Sequence, residues 1–333
     1  MTTPVTTPPA PALSPIAELL ARLSLAPRQT HKALTLWPLV LREEAPPSGT
    51  PVYVPLSRAL EDGSLQIDEL DERGSVPLVR VTNRGIHDVL FLFGEEIRGA
   101  KQNRIANASF LVAARSELMI DVSCVEQGRW GRRGRVGFAA AGEVVSHRMR
   151  QKMAYRVAKS RRGGGRFQAD QMEVWQDIDQ RLAQTHTASA TDSYEDYVRS
   201  RRADLSDLLA AFRPLERQVG FVAASGDEIL GLEAVGRTDV FADQFEGLVR
   251  SYAVDAIDPA PGGRQRQVPG ADSPEAFLAA LGRAPVLRGR SLGLGDDLRI
   301  EGEDVSGCAL VAGQVVHLTA FPVTAAPEAP GEG

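Results

Sequence analysis

The sequence predicts an α+β fold of largely antiparallel β-sheets, with a three-helix insertion packed on one side. Three observations predict it. Short apolar runs with strand periodicity fill the chain up to about residue 145. From about 145 to 213 the apolar spacing becomes helical. Beyond that, paired apolar runs return around tight turns such as Ser225-Gly226-Asp227. Strands, then helices, then strands is the order expected of segregated layers rather than of alternating β-α units.

In chain order, residues 1–13 are Thr/Pro/Ala-rich and read as a disordered tail. The stretch lacks the basic start and apolar core of a secretory signal. Ser14 and Pro15 suit the start of a helix from Pro15 to Leu25, with Ile16, Leu19, Leu20 and Leu23 on one face. Lys32 to Leu41 reads as a strand whose Pro38 requires an edge or a bulge. Val52 to Val54 is a further strand, and Ser57 to Glu61 a turn of helix stopped by Gly63. Val76 to Thr82 and Asp88 to Phe93 flank Asn83-Arg84-Gly85, which predicts a hairpin with Gly85 at positive φ. Val89 to Phe93 is apolar without alternation, the pattern of a strand buried on both faces. Strands follow at Ala108 to Val112 and Leu118 to Val125.

Met149, Met153 and Val157 put a narrow apolar stripe on a basic helix that Gly163-Gly164-Gly165 breaks. Met172, Trp175, Ile178 and Leu182 mark a second helix. Tyr194, Tyr197, Val198, Leu205, Leu208, Leu209 and Phe212 mark a third, ended by Pro214. Val219 to Ala224 and Ile229 to Ala234 form a hairpin, and Val240 to Ala256 a helix. Residues 259–272 read as a surface loop. A helix at Ser273 to Leu281 and strands near Val286, Leu298, Cys308 to Val311 and Val315 to Ala320 complete a single domain over 14–322, with residues 323–333 as a second tail. The hairpins GFVAASGDEILGLEAVG and GCALVAGQVVHLTAFPV look alike, by duplication or by chance.

Of the 333 residues, 43% are hydrophobic, ordinary for a globular chain. No apolar run approaches the roughly 18 residues of a membrane span. Two distant cysteines, Cys124 and Cys308, give no disulfide framework and point to a reducing, cytoplasmic setting. His and Cys are too scattered for a structural zinc site. The net charge of -5 is uneven: residues 129–166 carry 12 of the 38 basic residues and one of the 43 acids, Glu143. That segment is either a surface for anions or nucleic acid, or a solvated helix and loop balanced by acidic neighbours. It has no recognisable nucleic-acid motif, so sequence-specific binding of nucleic acid is not expected.

Phe91 to Arg135 concentrates the chemistry. An apolar run ends in Gly94-Glu95-Glu96, and a second polar cluster, Ser123 to Trp130, ends a neighbouring apolar segment. No phosphate loop, metal-binding helix or nucleophile elbow occurs. The catalytic candidates are Glu95, Glu96 and Glu126. Adjacent Glu95 and Glu96 point to opposite faces of extended backbone. One of them with Glu126 could form a carboxylate pair for a divalent metal or for acid–base work, or the acids could pair with neighbouring cations. The ligand-binding candidates are Lys101, Gln102, Asn103, Arg104, Gln127, Arg129 and Trp130. Arg supplies a bidentate fork, Lys a point charge and Trp a stacking face, the set a diphosphate, ribose or base needs. Lys101, Arg104 and Arg129 are expected to line one pocket. Cys124 falls on the apolar face of its strand, with Leu118, Ile120 and Val122, and is expected to be an inert structural thiol.

The stretches GEEIRGAKQNRI, VSCVEQGRW, GGGRFQADQMEVW, RQVGF and RSYAVDAID resemble the bacterial family of ARG-and-rhodanese-phosphatase-superfamily-associated proteins, where ARG denotes ADP-ribosylglycohydrolase. The resemblance runs from about Leu34 to Phe321. Its motif positions fall on Gly94–Arg104, Ser123–Trp130, Asp170–Trp175 and Arg250–Asp255. It implies a role in NAD or ADP-ribose metabolism, with a phosphorylated nucleotide or ADP-ribose derivative as ligand and a protein of the same pathway as partner. It carries no catalytic residue over. The alternative is a non-enzymatic scaffold whose basic helical block docks an acidic partner.

Overall fold

A computed structural model describes residues 14–43, 52–70, 77–99, 101–129, 138–258 and 273–323. The tails, the 259–272 stretch and Trp130 lie outside the described residues. Ser14 caps α1 (Pro15–Ala21), its Oγ accepting from Ala17 N at 3.2 Å. The helix stops short of Leu25 because Leu23–Leu25 leaves it as β1. β2 (Gln29–His31) and β3 (Leu34–Leu41) follow. β1 pairs with Leu39–Leu41 and β2 with Leu34–Leu36, so Pro38 falls between the two partners, where its missing N–H breaks neither ladder.

Next come β4 (Tyr53–Pro55), α2 (Leu56–Glu61), β5 (Leu65–Glu69), β6 (Leu78–Asn83), β7 (Asp88–Phe91), β8 (Glu95–Gly99), β9 (Arg104–Ala106), β10 (Phe110–Val112), β11 (Ser116–Cys124) and β12 (Phe138–Val144). The helical block holds α3 (His147–Arg162), α4 (Gln171–Gln184), α5 (Tyr194–Ser200) and α6 (Arg202–Ala210). The chain ends through β13 (Gln218–Ser225), β14 (Glu228–Val235), α7 (Thr238–Ile257), α8 (Pro274–Arg283), β15 (Val286–Arg290), β16 (Asp296–Glu301), β17 (Val305–Ala312) and β18 (Gln314–Pro322).

The class is α+β, as expected. A nine-stranded antiparallel sheet runs β1-β3-β13-β14-β18-β17-β16-β15, with β2 beside β3. A six-stranded antiparallel sheet runs β12-β8-β9-β11-β6-β5. A three-stranded sheet, β10-β7-β4, contains the one parallel pair among the described strands, β4 with β7. One face of the large sheet packs α1 and α8 through Ile16, Leu19, Phe277 and Leu281. The other packs α7 and the helical block through Phe221, Phe241, Tyr252 and Met153. No described helix is long and apolar enough to cross a membrane.

Three expectations are corrected. β6 and β7 do not form a hairpin. β6 is half-buried and pairs with β11, whereas β7 is buried on both faces and sits in another sheet. The Asn83 side chain turns the chain between them, donating to His87 O at 2.9 Å and accepting from Gly85 N at 2.9 Å, and Gly85 keeps an ordinary φ. The block has four helices, because the third expected helix divides at Arg201, whose guanidinium is held by Asp258 at 2.7 and 2.9 Å. Met172 is 56% exposed, and Val174 takes its place in the core.

Candidate functional site

The polar block after Phe93 is two short strands rather than a loop. Gly94 makes the turn into β8 at φ +78°, and a Cβ there would lie 2.5 Å from Arg150 Cδ, so only glycine fits. Glu95 and Glu96 then diverge, as alternation demands. Glu95 turns inward and accepts from Leu92 N at 2.9 Å. Burial pushes its carboxyl up to about 8. Glu96 is fully buried, and burial pushes it up to about 7 against the opposing pull of Arg98. Arg98 reaches Glu96 at 3.3 Å, Glu143 on β12 at 2.7 Å and Glu195 on α5 at 3.8 Å.

The other candidates gather behind this group and hold one another. Lys101 lies 3.8 Å and Arg104 3.6 Å from Glu69. Arg104 is 1% exposed and also donates to Cys124 Sγ at 2.7 Å. Gln102 donates to Glu126 O at 2.8 Å and, at 3.4 Å, to the carbonyl of Gln127. Glu126 binds Arg129 at 2.7 Å, Asn103 N at 3.2 Å and Thr191 Oγ1 at 2.9 Å. Asn103 accepts from Arg129 at 3.0 Å and donates to Glu195 at 3.1 Å, which ties this framework to Arg98. So Lys101 and Arg104 share one acid, while Arg129 takes another. Glu126 and Glu96 serve different cations rather than forming a pair. Among the described residues no three His, Cys, Asp or Glu side chains converge to hold a metal.

Cys124 is buried, with Sγ donating to Gln102 Oε1 at 2.9 Å. Burial pushes its thiol up to about 11 despite the nearby Arg104. A thiol reagent applied to the native protein at neutral pH should therefore label Cys124 no faster than global unfolding allows. Rapid native-state labelling would show that it is an activated thiolate.

Arg98 also faces a cleft of about 990 Å³. The cleft lies between β12, α5, α6 and α7. Glu143 reaches it from an irregular stretch of β12, where the register shifts between Ala140 and Val144 and Gly142 adopts φ +65°. Arg250 of α7 lies 3.5 Å from Glu143 and also pairs with Glu246. Gly247 permits this approach, since a Cβ there would lie 2.8 Å from Gly142 O. Leu205, Leu209 and Phe245 supply an apolar wall. Arg202 and Arg213 are exposed at the cleft and have no ion pair among the described residues. The faint signal for all this was the Ala-Ala-Ala-Gly-Glu run at 139–143, whose small residues hid a strand.

Two buried polar networks lie deeper. Arg150 pairs with Glu233 at 2.6 Å, and Glu233 also faces Tyr252 at 2.8 Å, Thr319 at 2.8 Å and His317 at 3.2 Å. Ser109 contacts the other ring nitrogen of His317 at 2.6 Å. This Ser-His-Glu order is that of a nucleophile relay, yet Ser109 accepts from Phe93 N and all three side chains are buried in the core. In the second network Arg181 joins Asp177, Asp255 and Ser146, each at 2.7 Å.

A family model described as the ARG and Rhodanese-Phosphatase-superfamily-associated Protein domain matches residues 22–321. The chain belongs to that family. No curated protein and no solved structure matches it. Residues from the four motif positions of the family resemblance interlock. Gly94–Arg104 contains β8 and the first residue of β9, and Glu126 and Arg129 close on Asn103. Gln171 grips Cys124 N and O at 2.8 Å each, while Asp170 caps α4. Arg250 meets Glu143, and Asp255 meets Arg181. The family's name records an association with ADP-ribosylglycohydrolases and rhodanese-phosphatases.

Proposed function

We propose that the chain binds a phosphorylated nucleotide of the ADP-ribose kind in the cleft between β12 and α5–α7. One observation carries this reading: Arg202 and Arg213, neither in an ion pair among the described residues, line the same cleft as Glu143 and Glu195, which Arg98 and Arg250 hold. Guanidinium forks suit diphosphate oxygens, and carboxylates accept from ribose hydroxyls. The apolar wall of Leu205, Leu209 and Phe245 suits the base. The volume falls at the upper end of the ~300–1,000 Å³ usual for small-molecule sites. The framework of Lys101, Gln102, Asn103, Arg104, Glu126 and Arg129 then acts from behind, fixing Glu195 and through it Arg98. The family's association with ADP-ribosylglycohydrolases supports the same ligand class.

The scaffold alternative finds less support. Lys152, Arg156 and Arg162 of the basic block are balanced by Asp177, Glu173 and Glu301 of the same chain, at 2.9, 2.9 and 3.1 Å. A ligand that binds only the native state raises the melting temperature. ADP-ribose should therefore raise it well above any rise from ribose 5-phosphate or adenosine alone. No rise with any nucleotide or ADP-ribose derivative at millimolar concentration would defeat the reading.

A further inference from the structure

A second cavity, of about 740 Å³, lies between α3, α4 and the ends of β16 and β17, and shares no lining residue with the cleft above. Its wall on α3 includes Arg148, Lys152, Tyr155 and Arg162. Tyr155 is seven residues from both Arg148 and Arg162, so the three share one helix face, and at 1.5 Å per residue the outer two stand about 21 Å apart. Tyr155 is 61% exposed, an unusual position for a large ring. It is also a held ring: the Arg156 guanidinium lies 6.0 Å from its centroid and is itself fixed by Glu173 at 2.9 Å. Ala154, Ala158 and Ile300 line the cavity with apolar surface, and Ser306 adds a hydroxyl.

The cations differ in their commitments. Lys152 is paired with Asp177 at 2.9 Å and Arg162 with Glu301 at 3.1 Å. Arg148 has no side-chain hydrogen bond or ion pair among the described residues, although its charge is felt by His147 and Asp255. A planar ring platform, an apolar floor and one uncommitted guanidinium about two helical turns away form a receptor for a flat aromatic group carrying an anion. We propose that this cavity is a second ligand site, taking a nucleoside monophosphate with its base on Tyr155 and its phosphate on Arg148. Stacking on an aromatic side chain is tolerant of the base, so the site selects for the combination of ring and phosphate rather than for one nucleobase.

The test is calorimetric titration of AMP into the full chain carrying Arg202→Ala and Arg213→Ala, which disables the first cleft, so that failure here and failure of the first reading are separable. AMP is expected to bind this variant. Adding Tyr155→Ala or Arg148→Ala should each weaken binding about tenfold or more. Adenosine and ribose 5-phosphate, each lacking one of the two recognised groups, should bind at least about tenfold more weakly than AMP. Both residues face solvent at the cavity, and unchanged melting temperatures would confirm that the variants fold. The proposal is overturned if AMP does not bind at millimolar concentration, if binding disappears with Arg202→Ala/Arg213→Ala alone, or if it survives Tyr155→Ala and Arg148→Ala unchanged.

Discussion

Arg150→Ala is expected to destabilise the fold by about 3–5 kcal/mol. Arg150 is fully buried and joins three layers: Glu233 on β14, Ser251 on α7 and the Val145 carbonyl, at 2.6, 2.8 and 3.2 Å. Burial alone would raise the Glu233 carboxyl, but the Arg150 charge and the hydrogen bond from His317 outweigh it and hold the group at about 2. Removing the guanidinium leaves a buried carboxylate without its strongest partner, a larger loss than the pair's net worth in the intact protein. It also empties the volume that packs against Gly94 at the turn into β8. Urea denaturation followed by circular dichroism measures the change. A loss below about 1 kcal/mol would show that the network relaxes or admits water without cost.

Glu95→Gln is expected to give a pH-dependent gain. Burial raises the folded-state carboxyl from 4.5 to about 8, so the folded protein keeps a proton that the unfolded chain has released. Fewer protons bound in the unfolded state means that stability falls as pH rises. Relative to Glu95→Gln, the wild type should therefore be steady below about pH 4.5, lose stability progressively up to about pH 8, and then level off. The full difference is on the order of 5 kcal/mol. Glutamine keeps an oxygen for Leu92 N and never ionises. Denaturation of both proteins at several pH values between 4 and 9 reads the difference, and a pH-independent difference would place the Glu95 carboxyl in an ordinary environment.

The parts of the fold that were legible in the sequence are those whose burial is apolar. The hairpin β13–β14, the helix α7 and the strands β16 to β18 follow from period and turn residues, because most of their inward positions are apolar, although they also bury Glu233, Asp297, Arg299, His317 and Thr319. The Met149-Met153-Val157 stripe is buried as its spacing requires. What was hidden has a common cause. β8 and β9 carry Glu96 and Arg104 into the interior in ion pairs and Glu95 as a buried carboxyl on the Leu92 N–H, and no hydrophobic pattern reveals polar groups that are satisfied inside the core. β12 is concealed by alanine and glycine, whose side chains give neither period nor propensity. The hairpin expected at Asn83 failed because a side-chain turn redirects the chain to another sheet, a long-range outcome that local turn residues do not encode.

The polar cluster of the candidate site was legible in the sequence and the cleft beside it was not. Gly94 to Arg104 and Ser123 to Arg129 are brought together, as their polar density between apolar runs suggested. Their partners come from Glu69, Glu143, Glu195 and Thr191, distant in sequence, and these partners turn the cluster into a framework. The cleft side chains Arg202 and Arg213 read as ordinary exposed residues of a helix and a loop. Only the approach of α6 and α7 to β12 gives them a cavity to face.

The central claim is that this cleft binds a phosphorylated nucleotide of the ADP-ribose kind through those two arginines. Calorimetric titration of ADP-ribose into the wild type and into Arg202→Ala/Arg213→Ala tests it most directly. Two charge-assisted contacts are removed, so affinity should fall about 100-fold or more, with the melting temperature of the unliganded protein nearly unchanged, because both side chains are exposed and the described residues give them no ion pair, only a hydrogen bond from Arg213 to the Phe212 carbonyl at 2.8 Å. Equal affinity in the two proteins, or no heat of binding in the wild type, would contradict the account.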